Sequence, residues 1–363
     1  MASNARTAPV AARGRSRDHP DGARSIARRD RPWRHWLPLL LCGVLAAQAI
    51  PLAGEDRRYE GMRMSMACLY SITAYGPPAV DRRAAAEAAL DEVDRIDRLM
   101  SHYKADSPLS AINREAASHP VHPPQELFDF IVESLGYSRV SHGAFDITVG
   151  PLMKAWGFFR GDGHLPSVGD LAAARAVIGA RHVRVDSAAG TVAFDAVGVE
   201  LDLGGIAKGY AVDRAVSILR TRGVTAALVS AGGSTVYGLG APPGREAWDV
   251  DVQDPLDGRR SATTVRLRDR SLSIAGGSEK WFEANGVRYS HIMDPRTGAP
   301  VQGMLTVAVL SDSGTAGDAL DDALFVLGPA ASRPLLQTVP GTAALFLVPR
   351  GTHGWDLVRV GSE

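Results

Sequence analysis

The amino-acid sequence predicts an α+β fold, in which one large domain contains a largely antiparallel sheet packed with helices. Hydrophobic residues make up 45% and charged residues 22% of the 363 residues, which is an ordinary globular composition. Strand-like segments come in runs with helical segments between them, and this order favours α+β over a regular alternation of strands and helices. No repeat or domain boundary is visible after residue 50, so residues 50–363 are predicted to form a single domain.

Apolar spacing and turn residues predict the elements in the first half of this domain. Apolar side chains recur with the helical period from Ala86 to Met100, and Gly76-Pro77-Pro78 separates them from the strand before. The predicted elements are a strand over 66–74, a helix over about 80–102, a second helix behind Pro123-Pro124, two short strands within 182–194, and a third helix from 207 to a C-cap at Gly223.

The second half of the domain is predicted to be mainly sheet. Strands and turns alternate over 226–310, a helix runs from 316 to a point before Gly328, and the last strand lies near 343–348. Two more strands are predicted at glycine pairs or hinges: one enters through Gly143 within 141–150, and one ends at Gly204-Gly205.

Residues 1–49 are predicted to be a secretory signal peptide. Nine arginines precede an uncharged thirteen-residue run over 37–49, and the run ends in Ala47-Gln48-Ala49. The run is too short to cross a bilayer, which takes about 20 residues. The other interpretation, a buried helix at the edge of the domain, stays open. We therefore expect an exported, periplasmic or extracytoplasmic protein, either cleaved after Ala49 or held at the membrane by an uncleaved signal.

The charge balance argues against a nucleic-acid binding role for the body of the chain. The chain carries 40 basic and 40 acidic residues, but nine of the basic and only three of the acidic ones lie in residues 1–36. The remainder therefore has 31 basic and 37 acidic residues, and a mildly acidic domain does not provide the positive surface that binds phosphate backbones.

A glycine pair followed by a helix forms the first candidate site. Over 202–211 the chain reads DLGGIAKGYA, so paired glycines precede the start of the predicted third helix. Glycines let the backbone approach a ligand closely, and the N–H groups of a helix N-terminus attract anions. Lys208 adds a positive charge that suits a phosphate. A tight turn with a surface lysine is the alternative, and the local residues do not decide between the two.

Two other segments carry groups that suit catalysis or metal binding. Asp318, Asp321 and Asp322 share one helix face, where carboxylate oxygens suit Mg²⁺ or Ca²⁺, or where acidic residues simply complement the helix dipole. His291 ends a predicted strand before the turn 294–298, and a histidine can accept a proton near neutral pH, although a lone histidine is more often structural.

Taken together and in this order, these segments resemble the ApbE family, the FAD:protein FMN transferases. The resemblance extends from about Met66 to Val348. It rests on six segments: 100–103 (MSHY), 106–107 with Asn113, 143–146 (GAFD), 204–209 (GGIAKG), 291–295 (HIMDP) and Asp318. Six modest motifs in the same order make a chance resemblance very improbable.

The resemblance implies an exported enzyme that uses FAD as substrate and a divalent cation, usually Mg²⁺. Such a transferase cleaves the FAD pyrophosphate, links FMN through a phosphoester to a Thr or Ser of a target flavoprotein, and releases AMP. The target usually presents a Ser/Thr-Gly-Ala-Thr/Ser sequence, and it can bring the enzyme close to a membrane. Two alternatives stay open: an FAD pyrophosphatase that forms FMN and AMP, and a flavin-binding carrier without turnover.

The resemblance also implies roles for individual residues. His291 is the candidate base, and Asp294 orients that site. The implied metal ligands are Asp318, Asp322 and the carbonyl of Ala207. The implied cofactor-binding residues are Met66, Tyr103, Asp146, Gly204, Gly205, Lys208, Asp213, Gly232, Gly233, Gly276 and Arg296. The chain departs from the family pattern at Ala67-Cys68, Ser234, Ala275, Ser278 and Asp322, and these departures affect the expected flavin pocket more than the candidate base.

Overall fold

The computed structural model describes residues 58–159, 161, 163–277, 280–351 and 354–362, so the predicted signal peptide lies outside the described residues. The strands are β1 Arg58–Ser65, β2 Cys68–Tyr75, β3 Val183–Asp186, β4 Thr191–Phe194, β5 Ala226–Ala231, β6 Thr235–Leu239, β7 Trp248–Asp254, β8 Asp257–Leu267, β9 Arg270–Gly276, β10 Trp281–Ala284, β11 Val287–Ser290, β12 Met293–Asp294, β13 Ala299–Pro300, β14 Thr306–Ser311, β15 Ala343–Arg350 and β16 Gly354–Gly361. The helices are α1 Arg82–Met100, α2 Pro108–Glu115, α3 Gln125–Val140, α4 Gly150–Ala155, α5 Val168–Ala176, α6 Ala207–Thr221 and α7 Gly314–Gln337.

An eight-stranded sheet in the order β1-β2-β5-β6-β9-β14-β15-β16 is the centre of the fold. Every neighbouring pair in it is antiparallel. Helices α1, α6 and α7 cover one face of this sheet, and their apolar side chains form the main core with Tyr70, Ile72 and Phe346. The β7–β8 hairpin provides Trp248, Val252 and other side chains of a second core, which also contains residues of the central sheet. The predicted α+β class, with one domain and a largely antiparallel sheet, is confirmed.

Most predicted elements are found where the apolar spacing placed them. Helices α1, α3 and α6 correspond to the three helices predicted before residue 223, and β3 and β4 to the two short strands within 182–194. Gly223 follows α6 with φ +79°, which is the left-handed conformation expected of a C-cap glycine. Among the described helices, none combines the length and apolar character that a membrane crossing requires.

Three details of the prediction are wrong. No described residue of 141–149 or 199–205 lies in a strand, because side chains hold these backbones instead. The Ser141 hydroxyl accepts from the Phe145 N–H, and Asn113 exchanges two hydrogen bonds with the backbone of Leu201. The predicted last strand, found over 343–350, is followed by one more, β16. The predicted helix does end before Gly328 (φ +72°), and a second helical segment follows that break.

Close contact between α6 and α7 fixes the geometry of the site. A Cβ added at Gly209 would lie 2.0 Å from the Gly314 carbonyl oxygen and 2.8 Å from Cβ of Asp318. A Cβ added at Gly314 would in turn lie 2.7 Å from the Gly209 carbonyl oxygen. The two helices therefore touch backbone to backbone, and this contact brings Asp318 to the N-terminus of α6.

We expect Gly209→Ala to separate the two helices. The new methyl group meets backbone atoms that cannot rotate away, so the cost should be that of an overpacked core, about 1–3 kcal/mol in the free energy of unfolding. Gly136→Ala on α3 is the matched control, because its added Cβ would meet only the Arg139 side chain at 3.8 Å. That substitution should leave stability unchanged or raise it by up to about 1 kcal/mol. Urea unfolding of both variants checks this, and equal stability of the two would contradict the assigned contact.

Candidate active site

Asp318 acts as a cap for α6 from a neighbouring helix. The N-cap residue of α6, Ile206, provides no side-chain hydrogen bond, and the Gly209 N–H donates to Asp318 Oδ2 at 2.9 Å instead. The Thr235 hydroxyl donates to Asp318 Oδ1 at 3.1 Å and lies 3.3 Å from the Ser273 hydroxyl. Asp318 is only 3% exposed, and the described residues form no ion pair with it. A buried carboxylate with only neutral donors favours a cation nearby.

The other implied metal ligands lie at the same helix start. Asp322 Oδ2 is 2.6 Å from the position that a Cβ of Gly205 would occupy, so this carboxylate lies against the glycine turn. Ala207 is the first residue of α6. The described residues contain no group of three or more His, Cys, Asp or Glu side chains suited to a metal. The predicted set instead consists of two carboxylates and a backbone carbonyl, and hard oxygen ligands of this kind suit Mg²⁺.

A buried histidine–aspartate pair lies beside this turn. His102 Nδ1 is 3.0 Å from Asp202 Oδ1, which also accepts from the Gly204 N–H at 2.8 Å. Burial raises the pKa of Asp202, but the His102 contact and the Gly204 hydrogen bond more than offset this, and the pKa lies below its ordinary value. The ionised carboxylate therefore links α6's glycine turn to the segment that carries Tyr103.

Tyr103 forms an aromatic surface at the site. Its ring stacks on Phe159 with centroids 4.8 Å apart and lies 3.9 Å from the His102 ring. The Tyr103 side chain remains 56% exposed. Burial of its hydroxyl and the charge of Asp202 raise its pKa to about 12, against the opposing effect of Lys208, so the phenol is neutral at pH 7. A neutral pair of stacked rings, in which Tyr103 is exposed and Phe159 is partly buried, suits a planar ring of a ligand.

His291 lies at the base of the β10–β11 hairpin. It directly follows β11, and its N–H donates to the carbonyl of Lys280, the residue before β10. Its ring Nδ1 is 3.3 Å from the same carbonyl oxygen. A carbonyl can only accept, so in the neutral ring the proton lies on Nδ1. Nε2 then keeps its lone pair, and this is the nitrogen that can act as a base.

Burial and two lysines keep His291 unprotonated. Burial first, and then the charges of Lys208 and Lys280, lower its pKa from 6.5 to about 4, although the hydrogen bond from Nδ1 to the Lys280 carbonyl opposes the change. The imidazole is therefore neutral across the physiological range. A proton acceptor is available without a preceding deprotonation step.

We expect the pH dependence of the free protein to show this shift. Since the neutral form persists down to pH 4, kcat/KM should stay level from pH 7.5 to 5.5 and fall only as the pH approaches 4. Lys280→Met removes one positive charge and should move the acid limb toward pH 6.5. Histidine ring NMR of the protein without FAD measures the same pKa directly. A His291 resonance that titrates near 6.5 would contradict this assignment.

The turn after His291 contains an internal ion pair. Asp294 accepts from Arg296 Nε and Nη2, each at 2.9 Å, and from the Arg296 N–H at 3.0 Å. These two residues thus hold each other, and the pair fixes the turn that follows the candidate base.

Asp146, another predicted cofactor-binding residue, is buried. Its carboxylate accepts from the Thr148 N–H and hydroxyl and from the Ala180 N–H.

Four predicted cofactor residues lie at strand ends of the central sheet. Met66 is in the β1–β2 turn, and its sulfur accepts from the Tyr70 hydroxyl at 3.1 Å. Gly232 and Gly233 form the β5–β6 turn, where the Gly232 N–H donates to the Leu69 carbonyl at 2.9 Å. Gly276 ends β9. Ala67 has φ +58°, a conformation that favours glycine.

Asp213 lies away from the glycine turn, on the side where α7 begins. Its carboxylate accepts from the N–H groups of Gly314 and Thr315 and from the hydroxyls of Ser313 and Thr315, at 2.7–2.8 Å. The structure therefore shows it joining α6 to the first turn of α7.

Four residues that contact or surround the predicted ones were given no role by the sequence analysis: His102, Asp202, Thr235 and Lys280. His102 and Asp202 lie within the segments 100–103 and 202–211 that the sequence analysis identified, whereas no pattern marks Thr235 or Lys280.

Comparison with known proteins identifies the family. The family model described as "ApbE family" matches residues 66–346. The FAD:protein FMN transferase of Treponema pallidum is 33% identical over 329 residues, which cover 86% of this chain and 90% of that protein. A crystal structure of the ApbE protein from Thermotoga maritima is 30% identical with a TM-score of 0.76, and the match covers 84% of this chain and 97% of that one. The flavin transferase ApbE from Vibrio cholerae is 26% identical with a TM-score of 0.74, over 84% of this chain and 97% of that one. The chain belongs to the ApbE family and is an enzyme.

Proposed function

We propose that the protein is an FAD:protein FMN transferase that cleaves FAD and attaches FMN to a Thr or Ser hydroxyl of a target flavoprotein. The observation that carries the proposal is a neutral histidine whose Nε2 keeps its lone pair, close enough to Lys208 for that charge to lower its pKa. Lys208 belongs to the same helix start that Asp318 and Asp322 contact. A base next to a site for phosphates and a cation is what transfer of a phosphoryl group to a hydroxyl requires. The curated relatives with this name support the assignment.

The residues at the helix start fit a magnesium ion. Asp318 is buried without a cationic partner among the described residues, and Asp322 lies against the glycine turn. We propose that these two carboxylates and the Ala207 carbonyl hold Mg²⁺. When bound, the ion neutralises the negative charge that develops on the pyrophosphate.

The chain's own groups have separate tasks in the transfer. The N-terminus of α6 and the Lys208 ammonium bind the pyrophosphate of FAD, because both are positive. His291 Nε2 accepts the proton of the acceptor hydroxyl as its oxygen attacks the phosphorus atom on the FMN side. A new P–O bond forms, the bond to the AMP phosphate breaks, and AMP leaves with that electron pair. The resulting imidazolium passes its proton to solvent.

Mass spectrometry separates this function from its alternatives. A peptide with a Ser-Gly-Ala-Thr acceptor is incubated with the protein, FAD and Mg²⁺. A gain of one FMN phosphoester by the peptide, with equimolar AMP, is expected. Release of FMN and AMP without labelling would instead indicate a pyrophosphatase. Intact FAD that remains bound would indicate a carrier, and either result would overturn the proposal.

We also propose that the enzyme acts outside the cytoplasm. The support is the sequence of residues 1–49, with its arginine-rich start, short apolar run and Ala-Gln-Ala end. N-terminal sequencing of protein from fractionated cells tests this. We expect a periplasmic form that begins near Ile50, or a membrane-held form that keeps the segment, and a full-length form confined to the cytosol would contradict the proposal.

A further inference from the structure

A cavity of about 440 Å³ adjoins the turn that follows the candidate base. Four arginines from separate parts of the chain line it: Arg139 from α3, Arg175 from α5, Arg181 from the segment before β3, and Arg296 from the turn 294–298. Arg139, Arg175 and Arg181 have no task in the transfer described above.

Three of these arginine side chains pack over glycines, in space that a Cβ atom would otherwise approach. The stem of Arg175 lies over Gly298, where an added Cβ would be 2.8 Å from its Cγ and Cδ. Arg181 lies over Gly179 in the same way, with Nη1 at 2.5 Å from an added Cβ, and Arg296 Cγ is 4.0 Å from the corresponding position at Gly143. The cavity wall therefore includes the turn 294–298 itself.

Three of these positive charges are not balanced locally. Arg296 is paired with Asp294, and the Asp146 carboxylate in the cavity wall accepts three hydrogen bonds from Thr148 and Ala180. Among the described residues, no carboxylate lies within ion-pair distance of Arg139, Arg175 or Arg181. A concentration of positive charge is notable in a domain whose total charge is negative, and it indicates an anionic partner.

The exposure of these arginines favours an extended acidic segment over a single small anion. All three side chains are exposed, and one exposed ion pair changes an affinity by a factor of only about two to three. A polypeptide with several carboxylates forms such pairs simultaneously. Arg296 follows His291 by five residues, a span of at most ~18 Å, so a segment bound here is within reach of an acceptor residue at the base.

We propose that the Arg139–Arg175–Arg181 cavity binds an acidic segment of the acceptor flavoprotein and holds its hydroxyl residue near His291. This inference rests on the proposed function and names the chemistry of the partner. The acidic segment lies outside the acceptor sequence itself, and it raises the affinity for the target without taking part in bond formation.

Two pairs of fluorescent peptides test the proposal. All four peptides carry the same Ser-Gly-Ala-Thr acceptor and a five-residue neutral spacer, and each pair has a run of four Asp in one peptide and four Asn in the other. The spacer and the run follow the acceptor in the first pair and precede it in the second. Anisotropy measures binding directly, and FMN labelling is recorded in parallel. In one of the two pairs, we expect the Asp peptide to bind about tenfold more tightly than the Asn peptide at low salt. This difference should be lost at 0.5 M NaCl.

Charge variants with matched controls locate the effect. Arg139→Glu, Arg175→Glu and Arg181→Glu combined should abolish the preference and leave FAD affinity and labelling of the Asn peptide unchanged. The corresponding Gln substitutions guard against misfolding of the Glu set and should have the same effect. Arg184→Glu, Arg222→Glu and Arg333→Glu combined change the total charge equally at exposed positions elsewhere and should keep the preference.

Three results would overturn the inference. Equal binding of the Asp and Asn peptides in both pairs is one, and equal loss in both sets of Glu variants is the second. Loss of FAD affinity in the cavity variants is the third, because it would assign the cavity to FAD. Failure of labelling with preserved selective binding would instead count against the proposed transferase function alone, since anisotropy does not depend on turnover.

Discussion

Asp318→Asn is expected to abolish Mg²⁺-dependent cleavage of FAD, with a loss on the order of 10²–10³-fold at limiting Mg²⁺. Asparagine keeps the size of the side chain and one oxygen that can accept from the Gly209 N–H, so the cap on α6 survives. It removes the negative charge that a cation requires. The decrease should appear also as weaker Mn²⁺ binding by electron paramagnetic resonance, a measurement that needs no turnover.

Asp321→Asn is the matched control for this prediction. Asp321 lies on the same helix and is 4% exposed, against 3% for Asp318, so both substitutions remove a buried carboxylate. The control should keep Mn²⁺ affinity and the Mg²⁺ dependence of cleavage, whatever it does to the melting temperature. Wild-type turnover of Asp318→Asn at limiting Mg²⁺ would show that Asp318 only caps α6.

The fold was predictable where apolar spacing determines structure. Helix α1 has eight buried residues at helical spacing, so its place in the sequence was clear. The segments at 141–149 and 199–205 were not predictable in this way, because Ser141 and Asn113 replace ladder hydrogen bonds with side-chain ones. Such contacts join residues up to 88 positions apart, and no local pattern reveals them.

The candidate site was predictable only in part, for a related reason. Sequence motifs identified Lys208, His291 and Asp318. The groups that determine the hydrogen bonding of Asp318 and the tautomer of His291 lie elsewhere in the chain. Thr235 binds Asp318 from a strand 83 residues away. Lys280 determines the tautomer of His291 through a backbone carbonyl, which any residue type would supply. The Thr235 contact needs a hydroxyl side chain, but it joins two elements that only the tertiary fold brings together, so no local pattern marks it.

The structure also suggests how the base can be tested apart from its surroundings. A structural role for His291 would depend on the contact between Nδ1 and the Lys280 carbonyl. Asparagine at this position places an N–H₂ group close to where Nδ1–H lies, so it can keep that contact. It has no group that corresponds to Nε2.

His291→Asn should therefore lower the single-turnover transfer rate by about 10²–10⁴-fold, the usual contribution of general base catalysis, while FAD affinity changes little. The reason is that a Thr hydroxyl is a weak nucleophile until a base takes its proton, and that Nε2 acts only as the transition state forms. His291→Ala should lose the rate equally and lose stability as well, since it also removes the Nδ1 contact. Rate, FAD affinity and melting temperature measured together for the two variants distinguish the roles. A structural histidine would leave His291→Asn near the wild-type rate, and that result would remove Nε2 from the reaction and make Asp294 the next group to test.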